Sequence, residues 1–159
     1  MPTLTRRSAS AGALAVVLIT HWEGYDSVVK PDRLANNLPT GCYGETTYDD
    51  PSLKLGMRFS KDECMRHLLR DIPKYAAPLE KCVTVAITKH QWAALTSASY
   101  NAGQSAVCHS PMVRAFNAHD PRACDKFIGW RVTAAGKYVR GLDNRRRAES
   151  AFCKTPDQD

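Results

Sequence analysis

The sequence predicts an α+β fold in which one N-terminal helix precedes a small β region and then a bundle of helices. An uncharged, apolar stretch precedes residue 23, turn-forming residues are dense between Lys30 and Phe59, and helix-start signals recur after Phe59. The chain has 159 residues, of which 43% are apolar. This is enough for one compact domain with a hydrophobic core and too little for two full ones.

Residues 1–22 have the pattern of an export signal. Arg6 and Arg7 precede an uncharged stretch that extends to Trp22. The stretch is shorter than the roughly 20 apolar residues of a stable membrane span. Its one cleavage-type site, Ala13 to Ala15, precedes the most apolar residues, so cleavage there is not expected. We therefore expect residues 1–22 to form a signal-anchor segment that can enter and leave a bilayer; an ordinary buried first helix is the alternative.

The next region combines short apolar segments with many turn residues. The segment from Thr40 to Thr47 is typical of a short strand or hairpin. Prolines, glycines and asparagines on both sides of it favour tight turns. This predicts a small, irregular β element between Lys30 and Phe59, with Asp32 in a polar loop.

Helix-start signals follow. Ser60 with Glu63 matches a capping box and predicts a helix that Pro73 should end. Thr88 with Gln91 matches a second capping box, and the helix that begins there should end near Gly103. Further starts are Ser110 before Pro111, Asp120 before Pro121, and Asn144, which should begin a helix ending near Cys153.

The six cysteines are numerous for this length and too widely spaced for a C-x-x-C metal site. They are Cys42, Cys64, Cys82, Cys108, Cys124 and Cys153. They indicate disulfides and an oxidising compartment, with buried free thiols in a cytosolic protein as the alternative. Sequence alone leaves 15 pairings open. The five histidines are scattered without ligand spacing, so no metal site is predicted.

The chain is basic. Lys and Arg number 22 against 16 acidic residues, which gives a net charge of +6. Such a surface attracts polyanions, namely nucleic acid, anionic lipid or acidic cell-wall polymer. Charge alone does not choose among them.

Two carboxylates in unlike surroundings stand out. Glu23 follows an apolar helical stretch, where partial burial lets a carboxylic acid hold its proton near neutral pH, whereas Asp32 lies in a polar region that favours the ionised form. Such a pair is what glycoside hydrolysis requires. Thr40 lies close by at the edge of the β element. Each residue also has a purely structural alternative. Glu23 could be a solvated helix-end carboxylate, Asp32 a turn former after Pro31, and Thr40 a plain strand residue.

Several separated motifs carry a family resemblance. The motifs are Glu23-Gly24, Asp32, and Pro-Thr-Gly-Cys-Tyr-Gly-Glu-Thr over residues 39–46, then residues 99–103, Ala123-Cys124 with Trp130, and residues 141–149 before Cys153. Together they resemble phage-type lysozymes of glycoside hydrolase family 24, particularly the signal-arrest-release endolysins. The resemblance covers about residues 22 to 153, and several motifs in the right order are more specific than any one of them.

The resemblance implies a lysozyme-like fold, with a small β lobe, a larger helical lobe and the active-site cleft between them. It implies that Glu23 is the general acid, Asp32 the base acting on water, and Thr40 the hydroxyl that holds that water. The family usually has five residues between the Asp and the Thr, whereas this chain has seven. Either the loop bulges outward, which we favour, or Asp26 takes the base role.

The same resemblance places Tyr43, Asn101, Gly103 and Arg145 at the substrate, although Asn101 is equally well explained as a cap near a helix end. The three arginines at residues 145–147 predict a solvated, basic helix face. The resemblance also suggests the pairs Cys42–Cys64, Cys82–Cys108 and Cys124–Cys153. No metal and no organic cofactor are implied.

The expected activity is hydrolysis of the β-1,4 bond between N-acetylmuramic acid and N-acetylglucosamine in peptidoglycan, with inversion, by a catalytic domain at residues 23–159. We expect a monomer with no nucleic-acid partner. We expect export by a bacterial host, transient inner-membrane association through residues 1–22, and action in the periplasm. The alternatives are a lytic transglycosylase acting on the same bond and a small basic nucleic-acid-binding module.

Overall fold

A computed structural model describes the backbone of residues 3–158 and the side chains of residues 11–158. The side chains of Arg6 and Arg7, on which the export pattern depends, lie outside this description. The chain forms two compact units, one made of the chain up to Leu18 together with the chain from Ile72 onward, the other spanning Ile19–Asp71. Helices and a small antiparallel sheet make up the fold, so the predicted α+β class is confirmed.

The first helix, α1, spans Thr3–Glu23. Among its described side chains, from residue 11 onward, those of Ala11, Ala15, Leu18 and Ile19 are buried, a spacing of three to four residues that lines one face of a helix. Val17 on another face is 59% exposed. Within the part of the chain that the structure describes, no helix combines the length and the apolar character needed to cross a membrane.

A three-stranded antiparallel sheet has the order β1-β2-β3, with β1 at Asp26–Asp32, β2 at Leu38–Cys42 and β3 at Glu45–Thr46. The predicted β element is confirmed. Its first strand begins at Asp26, earlier than expected, because Val28 and Val29 favour a strand and Val29 is buried. The expectation that Asp32 lies in a loop was wrong: it is the last residue of β1.

Helix α2 spans Lys61–Ala76. Ser60 and Glu63 form the predicted capping box, in which each side chain accepts a hydrogen bond from the other residue's backbone N–H at 3.1 Å. The helix continues past Pro73, contrary to expectation. Proline removes only one helical N–H, and the carbonyl of Pro73 still accepts from the Ala77 N–H at 2.9 Å.

The remaining elements belong to the larger, helical unit. They are α3 at Leu79–Cys82, α4 at Lys89–Ala102, α5 at Gln104–Cys108, α6 at Pro111–Asn117, a 3-10 helix at Ala123–Phe127, β4 at Thr133–Ala134, β5 at Lys137–Tyr138 and α7 at Arg140–Cys153. Thr88 and Gln91 form a complete capping box on α4, and Ser110 caps α6, as predicted. The Asp120–Pro121 signal precedes only a turn and the 3-10 helix, and α7 begins four residues before Asn144. The β4–β5 hairpin was not predicted.

The core of the helical unit is apolar and closely packed. Leu79, Leu95, Val107, Met112 and Phe127 at its centre are fully buried. Two disulfides brace this unit, Cys82–Cys108 between α3 and α5, and Cys124–Cys153 between the 3-10 helix and α7.

The third disulfide, Cys42–Cys64, joins β2 to α2 in the smaller unit. All three pairs are those that the resemblance suggested. Each closes a loop of 22 to 29 residues and contributes about 2–4 kcal/mol to stability.

Candidate active site

Glu23 lies at the last residue of α1, and its carboxyl group rests against Gly44. A Cβ at position 44 would lie 2.7 Å from Glu23 Oε2, which is closer than Cβ atoms pack in proteins, and 3.1 Å from Glu23 Cδ, so the end of the Glu23 side chain would have to move. Gly44 also has a φ of +74°, a left-handed conformation that other residues adopt at a cost. A side chain at this position would be strained by the backbone conformation and would displace the Glu23 carboxyl, which lies against the backbone of the β2–β3 turn.

Asp32 is held at the end of β1 by the turn that follows it. Its Oδ1 accepts a hydrogen bond from the Leu34 N–H at 2.9 Å, and its carbonyl accepts from the Ala35 and Asn37 N–H groups at 3.1 and 2.8 Å. Within the described part of the chain, nothing donates a hydrogen bond to its Oδ2. One carboxylate oxygen therefore orients the side chain, and the other can accept a proton.

The sheet register brings Thr40 to the same face as Asp32. Asp32 pairs with Leu38, and Thr40, two residues further along β2, pairs with Lys30. Side chains at paired and alternate positions of an antiparallel ladder point to one face, so Asp32 and Thr40 are diagonal neighbours about 7–8 Å apart. The Thr40 hydroxyl donates its hydrogen to the Leu38 carbonyl at 3.0 Å and can only accept a further hydrogen bond.

The two extra residues between Asp32 and Thr40 lie in an exposed turn. Residues 33–37 are all exposed, and Asn36 and Asn37 adopt left-handed backbone conformations with φ of 53° and 58°. Asparagine tolerates this conformation better than most residues. The insertion thus extends the β1–β2 hairpin outward, and the strand pairing at Asp32 is intact.

Asp26, the alternative base, is engaged at both carboxylate oxygens. Oδ1 accepts from the Val28 N–H at 3.0 Å, and Oδ2 lies 3.2 Å from Lys30 Nζ. The Val28 hydrogen bond, with help from Lys30, keeps the pKa of Asp26 below its ordinary value against a small opposing effect of burial. A carboxylate held in this way is a weaker base than one with an uncommitted oxygen.

The residues expected to contact the substrate differ in burial. Tyr43 is buried, with its ring 5.7 Å from that of Tyr25 in the smaller unit. In the helical unit, Asn101 is an exposed residue in the last turn of α4 and accepts a hydrogen bond from Arg146, and Gly103 ends that helix. The Asn101 hydrogen bond is made to a side chain and not to the backbone at the helix end, so this contact is not the helix cap that the sequence offered as an alternative.

Arg145 does not fit a role in substrate binding. Its side chain is only 4% exposed. Nη2 donates to the Ser97 carbonyl at 3.1 Å, and Nε lies 3.6 Å from Glu149 Oε2. The expectation of a solvated face was also wrong for Arg146, which is fully buried; both guanidinium groups serve the packing of α7.

Sequence reasoning did not find a buried polar network beside Gly44. Glu45, only 2% exposed, lies 2.8 Å from His67 Nδ1 and 2.9 Å from Arg70 Nη2. Arg70 also forms an ion pair with buried Asp71. The hydrogen bond to Asp71, and to a smaller extent the one to Glu45, raises the pKa of Arg70 above its ordinary value. The spacing of His67, Arg70 and Asp71, three and four residues apart on one helix, was the available signal.

Comparison with known proteins identifies the family of the chain. The sequence profile of the family described as Phage lysozyme matches residues 20–149. The chain is 32% identical to a SAR-endolysin of Enterobacteria phage P21, over 96% of this chain and 97% of that protein. A SAR-endolysin of Escherichia phage Mu is 35% identical, over 77% of this chain and 69% of that protein.

Solved structures show the same fold. An endolysin from the Escherichia coli O157:H7 phage FAHEc1 superposes with a TM-score of 0.78 at 30% identity, covering 89% of this chain and 90% of that one. The lysozyme-like fold implied by the sequence motifs is therefore confirmed. With a family profile that spans most of the sequence and a relative of matching length, this chain belongs to the phage lysozyme family.

Proposed function

We propose that this chain is an endolysin muramidase, which hydrolyses the β-1,4 bond between N-acetylmuramic acid and N-acetylglucosamine in peptidoglycan. Family membership supports the class of reaction. The observation that carries the proposal is the contact between the Glu23 carboxyl and Gly44. Gly44 lies four residues after Thr40, in the turn that joins β2 to β3, and the same small sheet carries Asp32. We further propose that it acts as a monomer and without a nucleic-acid partner.

Each side chain has one role in the proposed mechanism. Glu23 donates its proton to the glycosidic oxygen, which leaves as a hydroxyl while positive charge develops on the sugar ring. A water molecule attacks the anomeric carbon and gives one proton to Asp32 Oδ2. Thr40 accepts a hydrogen bond from the second hydrogen of that water, which stays on the new sugar hydroxyl, because the hydrogen of Thr40 itself is donated to the Leu38 carbonyl. In this proposal the two hydrogen bonds direct the lone pair of the water toward the anomeric carbon.

Product analysis tests this function. Purified peptidoglycan treated with the protein should lose turbidity and release fragments with free reducing ends. Because attack by water from the opposite face inverts a β-linked sugar, the first product should carry the α configuration. Anhydro-sugar ends would instead identify a lytic transglycosylase, and retention would contradict the role given to Asp32.

The choice of base can be tested with two matched variants. Asp32→Asn should lower the turnover rate about 100- to 10,000-fold, the usual contribution of a general base. Asp26→Asn should change turnover little, because its carboxylate is bound to Val28 and Lys30. The rate of wall lysis measures both, and the opposite ranking would transfer the role to Asp26.

Gly44→Ala should reduce activity much more than stability. The new methyl group would displace the Glu23 carboxyl, and a misplacement of about 1 Å can cost about 100-fold in rate. Gly56→Ala is the matched control, because Gly56 also has a positive φ, of +87°, but nothing lies within 4 Å of its added Cβ. Both variants should lose about 1–2 kcal/mol of unfolding free energy. Equal lysis rates in the two would contradict the contact with Glu23.

We also propose that the chain is exported and that residues 1–22 associate transiently with the inner membrane before the enzyme acts in the periplasm. The uncharged stretch, the three disulfides and the similarity to SAR-endolysins support this. Activity would then begin only when residues 1–22 leave the bilayer and α1 can place Glu23.

Gly12→Leu should prolong membrane association and delay lysis. Leucine adds apolar area to a marginal segment, and nothing lies within 4 Å of a Cβ at this position in the folded helix, so the folded enzyme should tolerate it. The fraction of protein in the membrane pellet and the time of lysis of expressing cells measure the effect. Gly12→Ala is the control, and unchanged timing in Gly12→Leu would contradict the proposal.

A further inference from the structure

One cluster of metal-ligating side chains lies in the smaller unit, around the disulfide between β2 and α2. Cys42 Sγ, a Glu45 carboxylate oxygen and a His67 ring nitrogen lie within 4.8 Å of one another. Cys64 Sγ is bonded to Cys42 Sγ at 2.06 Å and is the neighbouring sulfur, but Cys64 is not one of the three residues in this group. In the described part of the chain, this is the one place where three or more such residues converge.

The spacing of these atoms is close to that of a tetrahedral zinc site. Zinc bonds of about 2.0–2.3 Å place neighbouring ligand atoms about 3.3–3.8 Å apart. His67 Nδ1 lies 3.9 Å from Cys42 Sγ and 2.8 Å from Glu45 Oε2. Shifts of about half an ångström would therefore bring Cys42, His67 and Glu45 around one ion. The Cys64 sulfur, bonded to Cys42 Sγ at 2.06 Å, would have to rotate away after reduction until the two sulfurs are about 3.8 Å apart.

The surroundings hold the candidate ligands in fixed positions. Cys64 is fully buried, and Cys42 and Glu45 are each 2% exposed. Arg70 donates to Glu45 Oε1 at 2.9 Å, which orients the carboxylate and leaves Oε2 directed toward His67. The His67 ring is held against Phe59, with ring centroids 4.8 Å apart. Hydrogen bonds and packing that orient ligands in this way strengthen metal sites.

We propose that the chain with Cys42 and Cys64 reduced binds one Zn²⁺ through these two thiolates, His67 and Glu45. A dithiol reductant supplies two electrons and two protons, the S–S bond becomes two thiols, and the reductant becomes a cyclic disulfide. Zn²⁺ then displaces the two thiol protons and takes the neutral imidazole and the carboxylate as its other ligands.

Zinc and the disulfide would exclude each other, because a sulfur in an S–S bond cannot act as a thiolate ligand. The oxidised chain should therefore not bind zinc at this site. If the chain is made in a reducing compartment and exported, as proposed above, zinc would connect β2 to α2 before oxidation and leave when the disulfide forms.

The test is a zinc titration of the fully reduced, full-length chain under anaerobic conditions, against a competing chelator. Cobalt serves as the optical probe, because thiolate ligation gives sulfur-to-metal absorption and tetrahedral geometry gives strong visible bands. We expect one metal ion per reduced chain, with both signals, and none for the oxidised chain.

Four variants decide which residues are ligands. His67→Gln and Glu45→Gln should each weaken zinc binding by more than the roughly 10- to 100-fold expected from loss of an orienting partner, which is the effect predicted for Arg70→Gln. A double variant, Cys82→Ser with Cys108→Ser, removes two thiols elsewhere and should leave the zinc affinity unchanged. Equal affinity in wild type and His67→Gln, or loss of zinc in the Cys82/Cys108 variant, would overturn the proposal.

Circular dichroism covers the case in which the reduced chain without metal is partly unfolded. Zinc should then restore helical signal to wild type at one equivalent and fail to do so in His67→Gln. If reduced wild type binds no zinc under either measurement, the site does not exist. None of these readouts depends on wall lysis, so failure here leaves the proposed muramidase activity untouched.

Discussion

Glu23→Gln should abolish wall lysis while leaving the protein folded. Glutamine has nearly the same shape and can occupy the space beside Gly44, but it carries no proton acidic enough to transfer to a glycosidic oxygen. The loss of a general acid lowers rates by about 100- to 10,000-fold. Clearing of a peptidoglycan suspension measures the rate, and thermal unfolding under non-reducing conditions checks the fold.

Glu80→Gln is the matched control for that variant. Glu80 is an exposed residue of α3, so the same chemical change there should leave both lysis and stability at wild-type values. Persistent lysis by Glu23→Gln at more than a tenth of the wild-type rate would remove Glu23 from the acid role, since a general acid typically contributes about 100-fold or more.

Local signals explain which parts of the fold could be predicted. The capping boxes at Ser60 and Thr88 each depend on a partner three residues away, so the sequence itself contains the whole interaction. The start of β1 and the passage of α2 through Pro73 depend on burial and packing, which local propensity does not report. These elements were therefore misplaced by several residues.

The same distinction applies to the candidate site. Glu23, Asp32 and Thr40 could be named because they fall within one short stretch with recognisable motifs. The network around Glu45 joins residues 22 and 25 positions apart, and histidine spacing along the chain does not reveal it. Arg145 illustrates the opposite error: its partner Ser97 is 48 residues away, and a run of three arginines resembles a solvated face until that partner is known.

The arginines of α7 give the motif at residues 141–149 a physical meaning. Arg146 Nη1 lies 2.6 Å from Glu149 Oε1, Arg145 Nε lies 3.6 Å from Glu149 Oε2, and all three side chains are at most 4% exposed. The Arg146 guanidinium also lies 5.2 Å from the centroid of the Trp130 ring. Burial raises the pKa of Glu149, and Arg146 and Arg145 act in the opposite direction. One carboxylate thus compensates two buried cations.

Glu149→Ala should be among the most destabilising single substitutions in the chain. Removing one member of a buried charge cluster leaves the others desolvated and uncompensated, which costs about 3–5 kcal/mol. That is a large share of the roughly 5–15 kcal/mol by which domains are stable. Denaturant unfolding with the disulfides intact measures it. Arg147→Ala on the same helix is the control: its side chain is 60% exposed and pairs with Asp143 at 3.3 Å, so it should cost at most about 1 kcal/mol.

Glu149→Gln separates charge from packing at this position. Glutamine keeps the volume and one acceptor oxygen but removes the negative charge. If the charge is what Arg145 and Arg146 require, this variant should lose nearly as much stability as Glu149→Ala. A loss no larger than that of Arg147→Ala would show instead that Glu149 acts mainly by filling space, and that the two guanidinium groups are satisfied by Ser97 and Asn101.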